Sequence, residues 1–267
     1  MQTPAKLLQT AHFTVLLVVL FSLVVRFSDF AVVDDLDRII QKERIRVITT
    51  GDELGFVAKS DTVYGFQYEL MKAFAQSIGV ELVVVVENDL YKAIEMLTKA
   101  KVDLIASFIP VSGVVSNRVL LTEPLQVNRH MLVQSTKDSS ELIRKQYELA
   151  GQVISLPNNA AEYLLVKHLS DQIADSVYVS GVKNATVSSL VKQVAEGKIK
   201  FTLCSERYAK RLQTRYPMLS FSLPMSFQQA YAWAVAPEAV LLQAKLNEFL
   251  ADYIGSQAYW DIYRKYY

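Results

Sequence analysis

The chain has 267 residues, 51% of them hydrophobic, with 28 Lys and Arg set against 27 Asp and Glu. So even a balance offers no electrostatic handle on a polyanion, which excludes nucleic acid as an expected partner, and the length suffices for two ordinary hydrophobic cores. The three histidines, His12, His130 and His168, stand far apart without metal-ligand spacing, and Cys204 is the single cysteine, so no metal, no cofactor and no intramolecular disulfide is expected.

Near the N-terminus, Lys6 precedes an uncharged apolar run over residues 13–25. About 13 residues suit the apolar region of a signal peptide better than a span of about 20. The cleavage signal is poor, because Asp29 stands where a small residue should precede Ala31. An uncleaved anchor over residues 7–30 has to carry His12, Arg26 and Asp29. Residues 1–31 are therefore expected to be either a signal peptide or an N-terminal membrane anchor, and both imply export. Cys204 is too far along the chain to be a lipid attachment site.

Residues 33–42 predict a short helix, with Asp34, Asp35 and Asp37 at the end where the helix dipole favours anions, and Leu36, Ile39 and Ile40 as its apolar stripe. A strand over 45–49 and a loop follow. Then comes the most informative stretch, residues 64–82 (YGFQYELMKAFAQSIGVEL). Gly65 opens a helix, Gly79 closes it, and Phe66, Leu70, Phe74 and Ile78 recur every fourth residue on one buried face. Residues 80–86 are continuously apolar, as expected of a strand covered on both faces. A helix over 90–99, with Ile94 and Leu97 facing in, leads to a strand over 102–107. This alternation predicts a parallel sheet covered on both sides.

After Pro110 the pattern lapses until a strand over 129–134, the expected first crossing into a second lobe. The second lobe repeats the theme with strands over 152–156, 177–179, 200–204 and 219–222, and helices over 158–169, 188–195 and 206–214. An apolar strand over 229–236 ends at Pro237 and is the expected second crossing; helices over 237–253 and 256–267 finish the chain.

Five blocks (residues 36–47, 65–79, 93–107, 191–204 and 246–266) carry, by their order and spacing, a resemblance to the family 3 extracellular solute-binding proteins, the periplasmic amino-acid-binding type. Within that group the chain looks most similar to the non-catalytic sensor domain of the membrane-bound lytic transglycosylase F family. The resemblance implies an α/β, two-lobe periplasmic binding protein fold of type II with two strand crossings. On that resemblance residues 32–128 are expected to form the first part of lobe 1, 129–228 lobe 2, and 229–267 the return to lobe 1. It also implies hinge closure over a small solute, with binding shifting an open–closed equilibrium.

Family members grip a ligand carboxylate with an arginine in the loop after the third strand, a task suited to a guanidinium fork. Arg118 is the arginine in that loop here, although it lies nearer the crossing strand than is usual for the family. The family's threonine falls on Gly113, and its ammonium-binding acid on Ser205, with Glu206 one step on. These departures point to small carboxylates rather than ordinary α-amino acids. Loop placement adds Thr49, Thr50 and Asp52 after the first strand, Phe56 and Tyr64 before the next helix, and Asn158 and Asn159 at a lobe-two helix start.

No Ser-His-Asp order, G-x-S-x-G, phosphate loop or metal motif is present. The transglycosylase F family adds a C-terminal lysozyme-like domain with a glutamate general acid, and this chain ends where that domain would begin. Residues 139–142 (SSEL) lack the rest of its catalytic motif and read as the opening of an ordinary helix. The expectation is a non-enzymatic monomer that delivers a small solute to an ABC transporter permease or acts as a sensor. The alternative is a degenerate binding fold with an envelope partner, regulating cell-wall enzymes. Export is checked by a C-terminal alkaline phosphatase fusion, which should be active; an inactive fusion in the cytosol overturns it.

Overall fold

The computed structural model describes residues 35–138 and 140–267; the expected export segment, residues 1–31, and Ser139 lie outside the described residues. The first part runs α1 (Asp35–Gln41), β1 (Arg44–Thr49), a hairpin of β2 (Val57–Lys59) and β3 (Thr62–Tyr64), α2 (Phe66–Ser77), β4 (Glu81–Val86), α3 (Leu90–Thr98), β5 (Leu104–Pro110), α4 (Gly113–Ser116), β6 (Leu120–Leu121) and β7 (Gln126–Asn128). The middle holds β8 (His130–Ser135), a 3-10 turn (Gln146–Leu149), β9 (Val153–Pro157), α5 (Glu162–Ile173), β10 (Tyr178–Val182), α6 (Val187–Ala195), β11 (Phe201–Ser205), α7 (Glu206–Arg215) and β12 (Leu219–Ser220). The chain then returns through β13 (Gln229–Val235) to α8 (Val240–Tyr253) and α9 (Gln257–Tyr266).

Local chemistry sets several helix starts. The Asp89 carboxylate accepts from the Tyr91 and Lys92 N–H groups, Ser205 accepts from the Tyr208 N–H, and Ser256 accepts from the Tyr259 N–H. Thr186 and Ser189 form a reciprocal capping box. Gly65 is required where it stands: its φ is 153°, and a Cβ there would lie 2.0 Å from the Gly55 carbonyl oxygen.

Two mixed sheets result. The first has the order β4-β1-β5-β13-β6, with β7 also paired to β13; the second has β10-β9-β11-β8-β12. In each, the strands joined by crossover helices are parallel, as βαβ geometry demands. The strand that has just come from the other half is antiparallel: β13 to β5, and β8 to β11. The two connections between the sheets lie side by side, with Gln229 opposite Asn128, Ala230 opposite Val127 and Tyr231 opposite Gln126. Together they form a two-stranded hinge.

One face of the first sheet packs Trp233, Phe74, Leu104 and Leu246; the other packs Ile48, Ile94, Leu97 and Ile105. The second sheet buries Leu132, Ile154 and Leu203 on one face, and Val133, Val191, Cys204 and Leu212 on the other. No helix among the described residues is long and apolar enough to cross a membrane.

The structure differs from expectation at several places, among them the stretch after Pro110, where α4, β6 and β7 are too short to show a period. β4, read as covered on both faces, is the sheet's edge and only half-buried; an apolar run does not distinguish an edge from a centre. α5 starts at Glu162, because the residues before it form a turn with Asn159 at φ 54°. Residues 140–145 are not helical, and only the 3-10 turn follows. The β2–β3 hairpin occupies what reads in sequence as loop, its three-residue strands being too short to show a period.

Asp103 ties α1, β1 and β5 together. It accepts from Arg46 Nε at 3.0 Å, Arg46 Nη2 at 2.9 Å, the Arg46 backbone N–H at 2.9 Å and Arg38 Nη2 at 3.1 Å. Burial alone would raise this carboxyl; the Arg46 bonds and the charges of Arg46 and Arg38 outweigh it and hold the group below the ordinary range. A depressed carboxylate contributes stability above its unfolded pKa of about 3.9 and loses it as the pH falls through the folded value. Asp103→Asn should therefore cost about 1.5–3 kcal/mol in urea unfolding at neutral pH, with the gap to the parent closing in acid. A gap that is constant with pH overturns the assignment.

Candidate functional site

Between the two sheets lies a cavity of about 990 Å³. The first sheet's side contributes Thr50, Asp52, Gln67, Ser107 and Phe108; the second contributes Glu162, Ser205 and Tyr208; the hinge contributes Asn128, Arg129, His130 and Tyr231. The volume is at the upper end of small-molecule sites.

The hinge carries a hydrogen-bonded chain across the cavity wall. The Tyr231 hydroxyl, on β13, lies 3.0 Å from His130 Nδ1 at the start of β8, and His130 Nε2 lies 3.0 Å from Glu162 Oε1 at the first residue of α5. A neutral His130 satisfies both partners with its proton on Nε2, donating to the carboxylate while Nδ1 accepts from the phenol. Burial would raise the Glu162 carboxyl, but the hydrogen bond from His130 opposes it and the carboxyl stays low. Burial, with the Glu162 charge, pushes the Tyr231 hydroxyl up.

Asp52 sits on the opposite side, in the turn after β1. Its Oδ1 accepts from the Gly55 N–H at 2.7 Å, the Leu54 N–H at 3.0 Å and the Thr50 hydroxyl at 3.1 Å. Burial nevertheless raises its carboxyl above the usual range, the three bonds opposing, and the Glu162 charge adds to the rise. The two carboxylates line the cavity from opposite sides. Arg129 is engaged by Glu206 at 2.6 Å. Gln67 and Asn128 are buried, and each has an amide nitrogen without a hydrogen-bond partner.

The two halves also touch directly. Asn159 Nδ2 donates to Asp89 Oδ2 at 2.5 Å, and the Tyr208 hydroxyl donates to Glu53 Oε2 at 3.2 Å. Arg207 reaches the Tyr263 hydroxyl at 3.3 Å.

Of the residues expected from sequence, Thr50, Asp52 and Ser205 line the cavity. Thr49 is buried. Phe56 packs edge-on against Tyr68, and Tyr64 closes the β2–β3 hairpin. Asn158 bonds the Val182 carbonyl through its N–H, Asn159 is spent on Asp89, and Glu206 is held by Arg129. Arg118 is exposed in the turn after α4 and is not among the lining residues. The sequence reading missed Glu162, His130, Tyr231, Gln67, Asn128 and Tyr208. The usable signal was that Asn128, His130 and Tyr231 stand on the crossing strands, which must border any cleft. Cys204, although it lines the cavity, is buried and its thiol is pushed up by that burial, so it is no nucleophile. Among the described residues no three His, Cys, Asp or Glu side chains gather as a metal site.

Mixed sheets joined by a paired two-strand hinge, with a cavity between them, define the type II periplasmic binding protein fold. Residues 45–267 match the model of the bacterial extracellular solute-binding proteins, family 3, and the chain belongs to that family. It is 30% identical over 224 residues to membrane-bound lytic murein transglycosylase F of Aeromonas hydrophila subsp. hydrophila, covering 83% of this chain and 43% of that protein. The counterpart in Yersinia pestis (strain Pestoides F) is 26% identical over 201 residues, 74% of this chain and 40% of that one. The chain thus spans less than half the length of these relatives. Among solved structures, the solute receptor for L-cysteine of Neisseria gonorrhoeae superposes with a TM-score of 0.73 at 17% identity, covering 86% of this chain and 92% of that one. A binding component of an ABC transporter from Wolinella succinogenes, complexed with lysine, gives 0.70 at 18% identity, with 84% and 96% covered. These structures establish the fold.

Tyr231→Phe removes the hydroxyl that satisfies the buried His130 Nδ1. It should cost about 1–3 kcal/mol of unfolding free energy, measured by urea denaturation. An unchanged midpoint would show that the chain of bonds does not hold the hinge.

Proposed function

We propose that the chain is the binding module of an exported envelope protein, closing its two lobes over an amino-acid-sized solute. The observation that carries this reading is the cavity itself: it is walled from both sheets, bordered by both crossing strands, and bridged by direct bonds between the halves. The module serves uptake through an ABC-type permease or sensing, and it is a binder rather than an enzyme. Arg118, the carboxylate anchor expected from sequence, is exposed and not among the lining residues, whereas Arg129 lines the cavity, bonded to Glu206 through Nη2 and with its Nε left without a partner.

A second reading is favoured by the relatives. The curated matches bear the name of a murein transglycosylase, and the likeness covers under half of each. On that reading the fold regulates cell-wall enzymes without a solute of its own.

A thermal-shift screen of amino acids, amines, small carboxylates and muropeptides separates the two. A ligand at a hundred times its Kd should add about 2.7 kcal/mol of stability. A screen in which no compound stabilises the chain overturns solute binding and favours the regulatory reading. Purified peptidoglycan incubated with the chain should release no muropeptides; release that survives repurification overturns the non-enzymatic assignment.

A further inference from the structure

The lobes meet at two edges of different chemistry, and the difference decides how the hinge moves, on the footing that the lobes part and close over a solute. At the first edge α3 faces the turn before α5. The contacts there are polar: Asn159 Nδ2 donates to Asp89 Oδ2 at 2.5 Å, and the Leu90 N–H donates to the Asn159 carbonyl at 3.3 Å. The lobe-two side chain packed against the cluster of Ile94 and Leu97 is Ala161, a single methyl. Water replaces such bonds at little net cost.

At the second edge α7 faces the end of α9. Leu54 and Tyr267 of lobe 1 pack against both hydrophobic clusters, one holding Phe66 and Leu70 and the other holding Tyr208 and Leu212 of lobe 2. The Tyr267 ring stacks on Tyr263 at 4.7 Å and meets Phe66 edge-on at 5.3 Å. Tyr266 pins this turn to lobe 1, its hydroxyl accepting from the Gly65 N–H at 2.8 Å and donating to Glu69 Oε1 at 2.5 Å. From lobe 2, Arg211 donates to the Lys265 carbonyl, and Arg207 lies 5.9 Å from the centre of the Tyr263 ring and bonds its hydroxyl at 3.3 Å. Separating this edge exposes aromatic surface to water, at a cost that grows with the area exposed. The seam also runs into the hinge itself, because Arg207 Nη2 donates to the Val127 carbonyl of β7 at 3.4 Å. A contact joined to the pivot is displaced least when the lobes rotate.

We propose that the cleft opens from one edge: α3 and the turn before α5 part, while the α7–α9 edge stays shut as an extension of the hinge, with Tyr267 as its clasp. The doorway for a solute is therefore the Asp89–Asn159 edge.

The test is double electron–electron resonance between spin labels in a Cys204→Ala background. Glu95→Cys with Asp171→Cys spans the first edge, and Gln213→Cys with Ala258→Cys spans the second; every labelled position is exposed. The distance distribution of the first pair should be about twice as wide as that of the second, or more. Tyr267→Ala should widen the second pair to match the first. Arg207→Ala with Arg211→Ala should widen it too and leaves the aromatic packing untouched, with urea midpoints confirming that each variant folds. Equal widths in the parent overturn one-sided opening and leave lobe closure intact. Narrow distributions at both edges show that the lobes do not part, and overturn the closing-lobe reading as well. A second pair that stays narrow in both folded variants overturns the clasp.

Discussion

Two strands cross between the halves of this protein, and they cross as a pair. A lone crossing strand would leave its N–H and C=O groups to water or to chance; pairing Gln229 with Asn128 and Tyr231 with Gln126 satisfies them along the hinge. The pairing sets the rest. It makes β13 and β8 the antiparallel members of two otherwise parallel sheets, and it places Asn128, His130 and Tyr231 where the sheets face one another. The cavity is the space left when two α/β units are joined at one edge by a short ribbon. The hydrogen-bonded chain from Tyr231 through His130 to Glu162 then links that ribbon to the first turn of α5.

The charged groups sort by what surrounds them. Asp103, buried under two arginines and a backbone N–H, is a structural anion whose partners outweigh its desolvation. Asp52 has three hydrogen bonds and no cation, and desolvation wins. The two carboxylates differ in whether the fold itself supplies the countercharge. Asp103 holds elements together; Asp52 stands in the cavity wall with only uncharged donors of its own turn around it.

Much of the fold was legible because its signals are local. Phe66, Leu70 and Phe74 mark the buried face of α2 by spacing alone and are buried, while Ile78, the fourth of that spacing, is the helix C-cap and only half-buried; Gly65 fits a backbone that only glycine adopts. The return strand β13 was visible as an apolar run and β8 was read as the first crossing, but β7, which pairs with β13 in the hinge, lies where the sequence pattern lapses. What failed was relational. The edge position of β4 depends on which strands pair with β1, and nothing in its own residues says so. Of the cavity's lining, Asp52 and Ser205 were legible because they follow strand ends, and Glu162 was not, since the turn before α5 moved the helix start. Arg118 does not line the cavity, since lying in a loop near the crossing does not make a side chain turn toward it.

Asp89 has two duties that bear on how fast the cleft can open. One oxygen caps α3; the other accepts from Asn159 of the facing lobe. When the lobes part, the first bond stays and water takes the second, so α3 does not fray as the cleft opens. The Tyr208–Glu53 bond is similarly partly buried and easily rehydrated. Each such bond has a net worth of about 0.5–1.5 kcal/mol, so no single latch supplies the about 5.5 kcal/mol needed to carry a two-state balance from 1:99 to 99:1. The lobes are held in register by these bonds jointly, with the Leu90 N–H to the Asn159 carbonyl and Arg207 to Tyr263 among them. Hinge motions between lobes in general run on the microsecond-to-millisecond scale, and on the proposed binding reading the dwell time of a solute would be set by its own contacts with the walls.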